Sequence, residues 1–338
     1  MTNEELKVKI DEYLVYSEDD IHIEYIEAIL SILKVYTKFG RYARRFKYSD
    51  IDYEGLSNMD LETTIKLVKE LYKENSIPFD EEYIDKIISN GVIDFKFDTL
   101  EESDLSRVKY DKLTTGSTGV KKGKRFLNSP STGKITDPII LAHELGHYTV
   151  GVSENDKDHY MSEMFAIFME FLMEEKLKDL GYANDVREWK KTRIISTWRC
   201  ASSIFEELLL LNVYLKFGDF SRESFNEIYT FNDREYDLII RNNKDIFKRR
   251  ENEEDEDYYE RVDYTKDLRY IFGTLIGSFM CRSYLNDNKY YDRIKKAFSY
   301  PTNEYFENFL DILGITYNSF SEESSILLNE LFDNNKTL

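Results

Sequence analysis

Only 14 glycines and 4 prolines punctuate a chain of 338 residues, and this scarcity limits the fold more than any other feature. Strands must be joined by turns, and turns draw heavily on those residue types. So few of them favour long helices over a strand-and-turn architecture. Hydrophobic residues at 41% and aromatics at 15% supply material for a real core. The length suits one large unit or two moderate ones.

Apolar periodicity agrees with a helical reading. Ile21, Ile23, Ile26, Ile29, Leu30 and Leu33 recur at helical spacing, with Ser17 as an N-terminal cap. Leu61, Ile65, Val68 and Leu71 repeat that spacing, and Pro78 with Asp80 starts a further helix that Gly91 ends. Between Gly91 and Thr136 the texture changes. Val92, Asp94, Lys96 and Asp98 alternate with Ile93, Phe95 and Phe97, a strand period. The stretch TTGSTGVKKGKRFLNSPSTGK (114–134) is rich in turn formers and predicts a hairpin. From Asp137-Pro138, a cap and first-turn proline, the chain reads helical nearly to its end, with Gly181 and Gly218 as helix stops. The charged run 249–261 reads as a solvated loop or helix end. The expected organisation is an N-terminal helical region over residues 1–90 and a larger body over 91–338.

The formal net charge of −19 repels a phosphate backbone, so nucleic acid is not an expected partner. The short basic run from Arg41 to Lys47 reads as a solvated helix end. Cys200 and Cys281 form no CxxC pair and suit a reducing compartment. The opening residues are too charged for a signal peptide, and no apolar run approaches the roughly 20 residues that span a bilayer. A cytoplasmic location with no membrane partner is the expectation.

Chemistry enters at PIILAHELGHYTV, which contains His143-Glu144-Leu145-Gly146-His147. Residues four apart share one face of a helix, so both imidazoles can point at one ion. Zinc suits two neutral imidazoles plus a carboxylate, with a fourth position open for water. Glu144 can reach such a water as general base and return the proton to a leaving group. The competing reading is a buried helix with two satisfied core histidines. A histidine six residues beyond His147 would be a further ligand in one known extension of this motif, but that position is Ser153.

The next helix offers Glu163 and Glu170, seven apart and so nearly on one face. Among Met161, Met164, Phe165, Ile167 and Phe168, a carboxylate is costly to bury without a partner. An ion would partner Glu163, and a histidine N–H would partner Glu170, unless Glu170 sits at the helix edge. His159, in the polar stretch SENDKDH, is the rival ligand and ranks below Glu163.

These segments resemble the thimet oligopeptidase and oligoendopeptidase F group of zinc peptidases. The similarity rests on ITDPIILAHELGHYT, on the Glu163 and Glu170 pair in SEMFAIFMEFLM, and on TRIISTWRCASSIFEELLL with Arg199, Phe205 and Glu206. A weaker match is YTKDLRYIFGTLIGSF, with Tyr270 and Gly273. The resemblance covers roughly residues 91–300, with an N-terminal part much shorter than the family's. It implies a mostly α fold, a zincin-like catalytic domain with a small antiparallel β-sheet beside long helices. It implies one zinc ion per chain held by His143, His147 and Glu163, with Glu170 behind the ligands. Tyr264 and Tyr270 are then candidates for binding the transition-state oxyanion, unless they are ordinary packing residues. Lys266 and Leu268 stand where that family carries tyrosines, which bears on catalytic efficiency rather than on metal binding.

The function so implied is a zinc-dependent endopeptidase acting on oligopeptides or extended segments. Two alternatives remain open: a weak or inactive zinc-binding homologue serving as a peptide-binding or regulatory protein, and a dedicated protease with one protein substrate.

Overall fold

The computed structural model describes residues 1–16, 30, 33, 52–75, 81–90, 92–96, 116–121, 124–150, 156–230, 232–262, 265–298 and 306–316. Of the predicted helix around residues 21–33 only Leu30 and Leu33 are described, both helical and buried, and the starts and stops at Ser17, Pro78, Asp80 and Gly91 lie outside the described residues. The chain divides into two compact units, residues 1–40 with 198–268, and residues 41–197 with 269–338.

The second unit carries every residue of the motif. Its first described helix, α2 (Leu61–Glu74), follows α1 (Asn3–Tyr16) in chain order and is capped by Asp60, whose carboxylate accepts from the Thr63 N–H. It buries Leu67, Val68, Leu71 and Tyr72 along one stripe. After α3 (Glu81–Ser89) comes a three-stranded sheet of β1 (Ile93–Lys96), β2 (Ser117–Lys121) and β3 (Lys124–Pro130), in the order β1-β3-β2. The hairpin expected at 114–134 is present: β2 pairs antiparallel with β3, Thr118 opposite Leu127. However, β1 pairs parallel with β3, Ile93 opposite Leu127, so the sheet is mixed rather than antiparallel. A parallel pair needs a long crossover rather than a tight turn.

Helix α4 (Asp137–Val150) follows directly. Its residues Asp137–Ala142 and Glu144–Gly146 are buried around the whole circumference, the mark of a core helix. It packs against β2, β3, α2 and α5 (Asp156–Asp179). The Asp137 carboxylate turns back to accept from the Thr132 hydroxyl and the Gly133 N–H, fixing the entry into α4. Lys134 Nζ reaches the carbonyls of Glu54 and Leu56 and the side chain of Asn58, and Tyr72 donates to the Ala142 carbonyl at 3.3 Å. These bonds tie residues 52–75 to α4 and the turn before it. Residues 52–75 thus belong with α4 in the unit of residues 41–197 and 269–338.

Helix α5 is apolar on all sides from Met164 to Met169 and ends before Gly181, whose φ of +98° turns the chain. Helix α6 (Ala183–Phe217) stops at Gly218, where φ is +68°. The long α10 (Thr265–Asn286), α11 (Tyr290–Phe298) and α12 (Phe306–Leu313) complete the described elements.

The first unit contains α1 (Asn3–Tyr16), α7 (Arg222–Ile228), α8 (Asp233–Ile246) and α9 (Asp255–Val262), with the later part of α6. Tyr214 donates to Asp11 at 2.8 Å, and Tyr13 meets Phe247 edge to face. Among the described residues, no helix is long and apolar enough to cross a membrane.

Candidate metal centre

His143 and His147 occupy successive turns of α4, and their Nε2 atoms lie 3.0 Å apart with the rings at 81°. Glu163, from the second turn of α5, places Oε1 3.8 Å from His143 Nε2 and Oε2 3.4 Å from His147 Nε2. The three donors fall within 4.8 Å of one another. Around a tetrahedral zinc with bonds of about 2.0–2.1 Å, ligand atoms sit about 3.3 Å apart. The observed separations bracket that value, and the donor set of two imidazoles and a carboxylate suits the ion. The residues fit zinc.

Of the two outer nitrogens, one is hydrogen-bonded and the other faces a carboxylate. His147 Nδ1 lies 3.1 Å from the Ser162 hydroxyl, one residue before Glu163. His143 Nδ1 faces Glu170 Oε1 at 3.6 Å. With the proton of each ring on Nδ1, both Nε2 lone pairs point to the same place. Burial pushes the His143 pKa below its usual value, against the opposing pull of Glu163, so the ring stays neutral and able to ligate.

Glu144 is buried, 4% exposed, beneath the start of β2. The Thr118 hydroxyl donates to its Oε2 at 2.6 Å. A β-carbon on Gly116 would come 2.4 Å from its Oε1, so only glycine lets the strand lie so close. Burial raises the Glu144 pKa, opposed by the two histidines and the Thr118 bond. A carboxylate poised this way is a better base than an exposed one.

Behind the histidines lies a charged group. Glu170 Oε2 accepts from Arg193 Nη2 at 2.7 Å. The same nitrogen stands 2.7 Å from Glu174 Oε1, and Lys190 stands 3.8 Å from Glu174 Oε2. Burial pushes Glu170 up to about 7, with Arg193 pulling the other way.

The sequence-predicted residues divide accordingly. His143, His147, Glu163, Glu144 and Glu170 come together. Tyr270 lies on α10 and is 38% exposed. Its helix meets α5 one turn on, where a β-carbon on Gly273 would be 3.2 Å from Glu163 Cγ. Tyr264 lies outside the described residues. His159 belongs to the first turn of α5 rather than to a loop. Phe205 and Glu206 belong to the other unit, where Glu206 accepts from Asn242 at 2.8 Å. Thr118, Gly116, Ser162 and Arg193 are additions that sequence reasoning missed.

No protein-family model and no curated protein matches the chain. Among solved structures it is similar to a Bacillus anthracis str. Ames protein described as an oligoendopeptidase F, with a TM-score of 0.53 and 14% identity over 94% of this chain and 58% of that one. PZ peptidase A, solved with an inhibitor, gives 0.53 and 12% over 93% of this chain and 59% of its own. The chain has the oligoendopeptidase fold. It spans less than two thirds of either structure. The oligoendopeptidase fold is what the motif, the Glu163 and Glu170 pair and the mostly helical architecture pointed to.

Proposed function

We propose that the chain is a zinc-dependent endopeptidase acting on oligopeptides or extended segments. The observation that carries this reading is the meeting of His143, His147 and Glu163 within 4.8 Å, beside the buried carboxylate of Glu144. The fold shared with two proteins named as peptidases supports the same reaction class. When bound, zinc would supply Lewis acidity, favouring ionisation of a water near neutrality and polarising the scissile carbonyl.

The residues divide the remaining work. His143 and His147 present neutral nitrogens, and Glu163 supplies the negative ligand. Glu144 accepts the proton of the attacking water and passes it to the departing amine. Thr118 keeps that carboxylate in one orientation through its hydroxyl. Tyr270 is the described candidate for donating to the developing oxyanion, from a partly exposed position on α10. The net charge of −19 favours basic substrates through steering, and two cysteines without CxxC spacing suit the cytoplasm.

The test is elemental analysis joined to a digest of a peptide library. The wild type should carry about one zinc per chain, and Glu144→Gln should keep the metal while cleavage falls by a factor of about 10² to 10⁴. A purified protein that takes up no zinc rejects the reading. Lys266 and Leu268, in place of oxyanion tyrosines, favour a second reading: a zinc-binding homologue that holds peptides without cutting them. Stoichiometric zinc with no turnover across the library selects that one.

A further inference from the structure

Helix α5 carries Glu163, Glu170 and Glu174 as one stripe, at spacings of seven and four residues. Like charges four apart on a helix repel, and more so when buried. Glu174 is fully buried and Glu170 nearly so. Arg193 of α6 sits between them with one nitrogen 2.7 Å from each carboxylate. Its guanidinium also covers the ring of Phe171 at 4.2 Å, which fixes the plane of the fork. Glu174 has Lys190 as a second cation.

We propose that Arg193 is a positioning residue for the metal centre, holding Glu170 so that its free oxygen faces the Nδ1 of His143. The proposal rests on the zinc reading of the site. The geometry has a direction. One oxygen of Glu170, Oε2, is bound to Arg193, and the other, Oε1, is turned to the imidazole at 3.6 Å. His143 Nδ1 is buried and has no hydrogen bond within 3.5 Å, so an N–H there has this carboxylate to face. A carboxylate behind a ligating histidine sets the tautomer and the ring angle, and its loss weakens metal binding by about 10- to 100-fold. Arg193 reaches the metal centre only through that carboxylate. A purely structural ion pair between α5 and α6 would make a different prediction, stability without metal affinity.

The experiment measures zinc affinity by competition with a chromophoric chelator, and thermal melting of the metal-free protein, in wild type, Arg193→Met, Glu170→Gln, Glu174→Gln and the Arg193→Met/Glu170→Gln double variant. Methionine keeps the packing over Phe171. Expected results are zinc affinity weakened about tenfold or more in Arg193→Met and in Glu170→Gln, with the double variant no weaker than the poorer single. Glu174→Gln lowers the melting temperature and leaves affinity within threefold. Arg193→Met binding zinc within threefold of wild type overturns the proposal. So does a double variant whose loss is the product of the two single losses. If Arg193→Met fails to fold, Arg193→Lys, which keeps the charge without the fork, is read by the same criteria. A wild type that binds no zinc is a separate result, and it removes the zinc reading together with this one.

Discussion

A β-carbon placed on Gly146 would lie 2.7 Å from the Cα of Ala166. Helices α4 and α5 therefore meet backbone against backbone, one residue before His147 and three after Glu163. Donors from two helices converge here because nothing larger than hydrogen separates the main chains. The glycine inside the motif is a packing requirement.

Gly146→Ala sets two effects against each other. Alanine favours the helix by up to about 1 kcal/mol over glycine. Overpacking against a neighbour costs about 1–3 kcal/mol, and here the neighbour is backbone, which cannot rotate away. The clash wins. Urea denaturation should show a net loss of about 1–2 kcal/mol, and zinc titration a weaker site. A variant as stable as the wild type would mean that the helices can separate without cost.

Two glycines of α10 predict a split between stability and metal binding. A β-carbon on Gly277 would come 2.9 Å from the Phe168 backbone nitrogen. One on Gly273 would instead meet the tip of Ile167 at 2.7 Å and Glu163 Cγ at 3.2 Å. A side-chain tip can turn aside, whereas a backbone atom cannot. Gly277→Ala should therefore lower the melting temperature more than Gly273→Ala. Gly273→Ala should weaken zinc more, because it presses on a ligand. Melting curves and metal titrations on the two variants check the ordering, and the reverse order contradicts it.

Much of the centre was legible because it depends on helical spacing alone. His143 and His147 share a face at four residues, and Glu163 with Glu170 at seven, whatever the rest of the chain does. Gly181 and Gly218 were legible as helix stops because a positive φ selects glycine. The parallel pairing of β1 with β3 was not legible, because it depends on where a long connection returns the chain. Thr118 and Gly116 belong to that same return, and they reach Glu144 from 26 and 28 positions away. Arg193 looked like one more charge on a long helix. Only the fold shows that its neighbours there are Glu170 and Glu174. The bonds from Lys134 to Glu54 and from Tyr72 to Ala142 are likewise long-range, and no local pattern signals them.

Thr118→Val removes a hydrogen bond to a buried carboxylate and keeps the shape of the side chain. Hydrogen bonds to charged groups contribute about 1.5–3 kcal/mol, equivalent to about 10- to 100-fold in rate if the whole effect falls on the orientation of Glu144. Cleavage should fall within that range while zinc content stays at the wild-type value. The ratio of turnover to zinc occupancy is the quantity to measure. Unchanged turnover per zinc would leave Thr118 as a packing residue of β2.

Zinc removal should destabilise the fold by mass action, because an ion that binds only the folded chain adds about 2.7 kcal/mol at a free concentration one hundred times its dissociation constant. For a unit of this size each kcal/mol moves the melting temperature by about 2–4 °C. Saturating zinc should therefore raise the midpoint by about 5–10 °C over chelated protein. His147→Ala should abolish that shift, because it deletes one of the three converging donors. Glu144→Gln should preserve it, because its carboxylate is held by Thr118 and is no part of the donor set. A shift that persists in His147→Ala would place the stabilising ion elsewhere. The loss of the shift in Glu144→Gln would make that residue a ligand rather than a base.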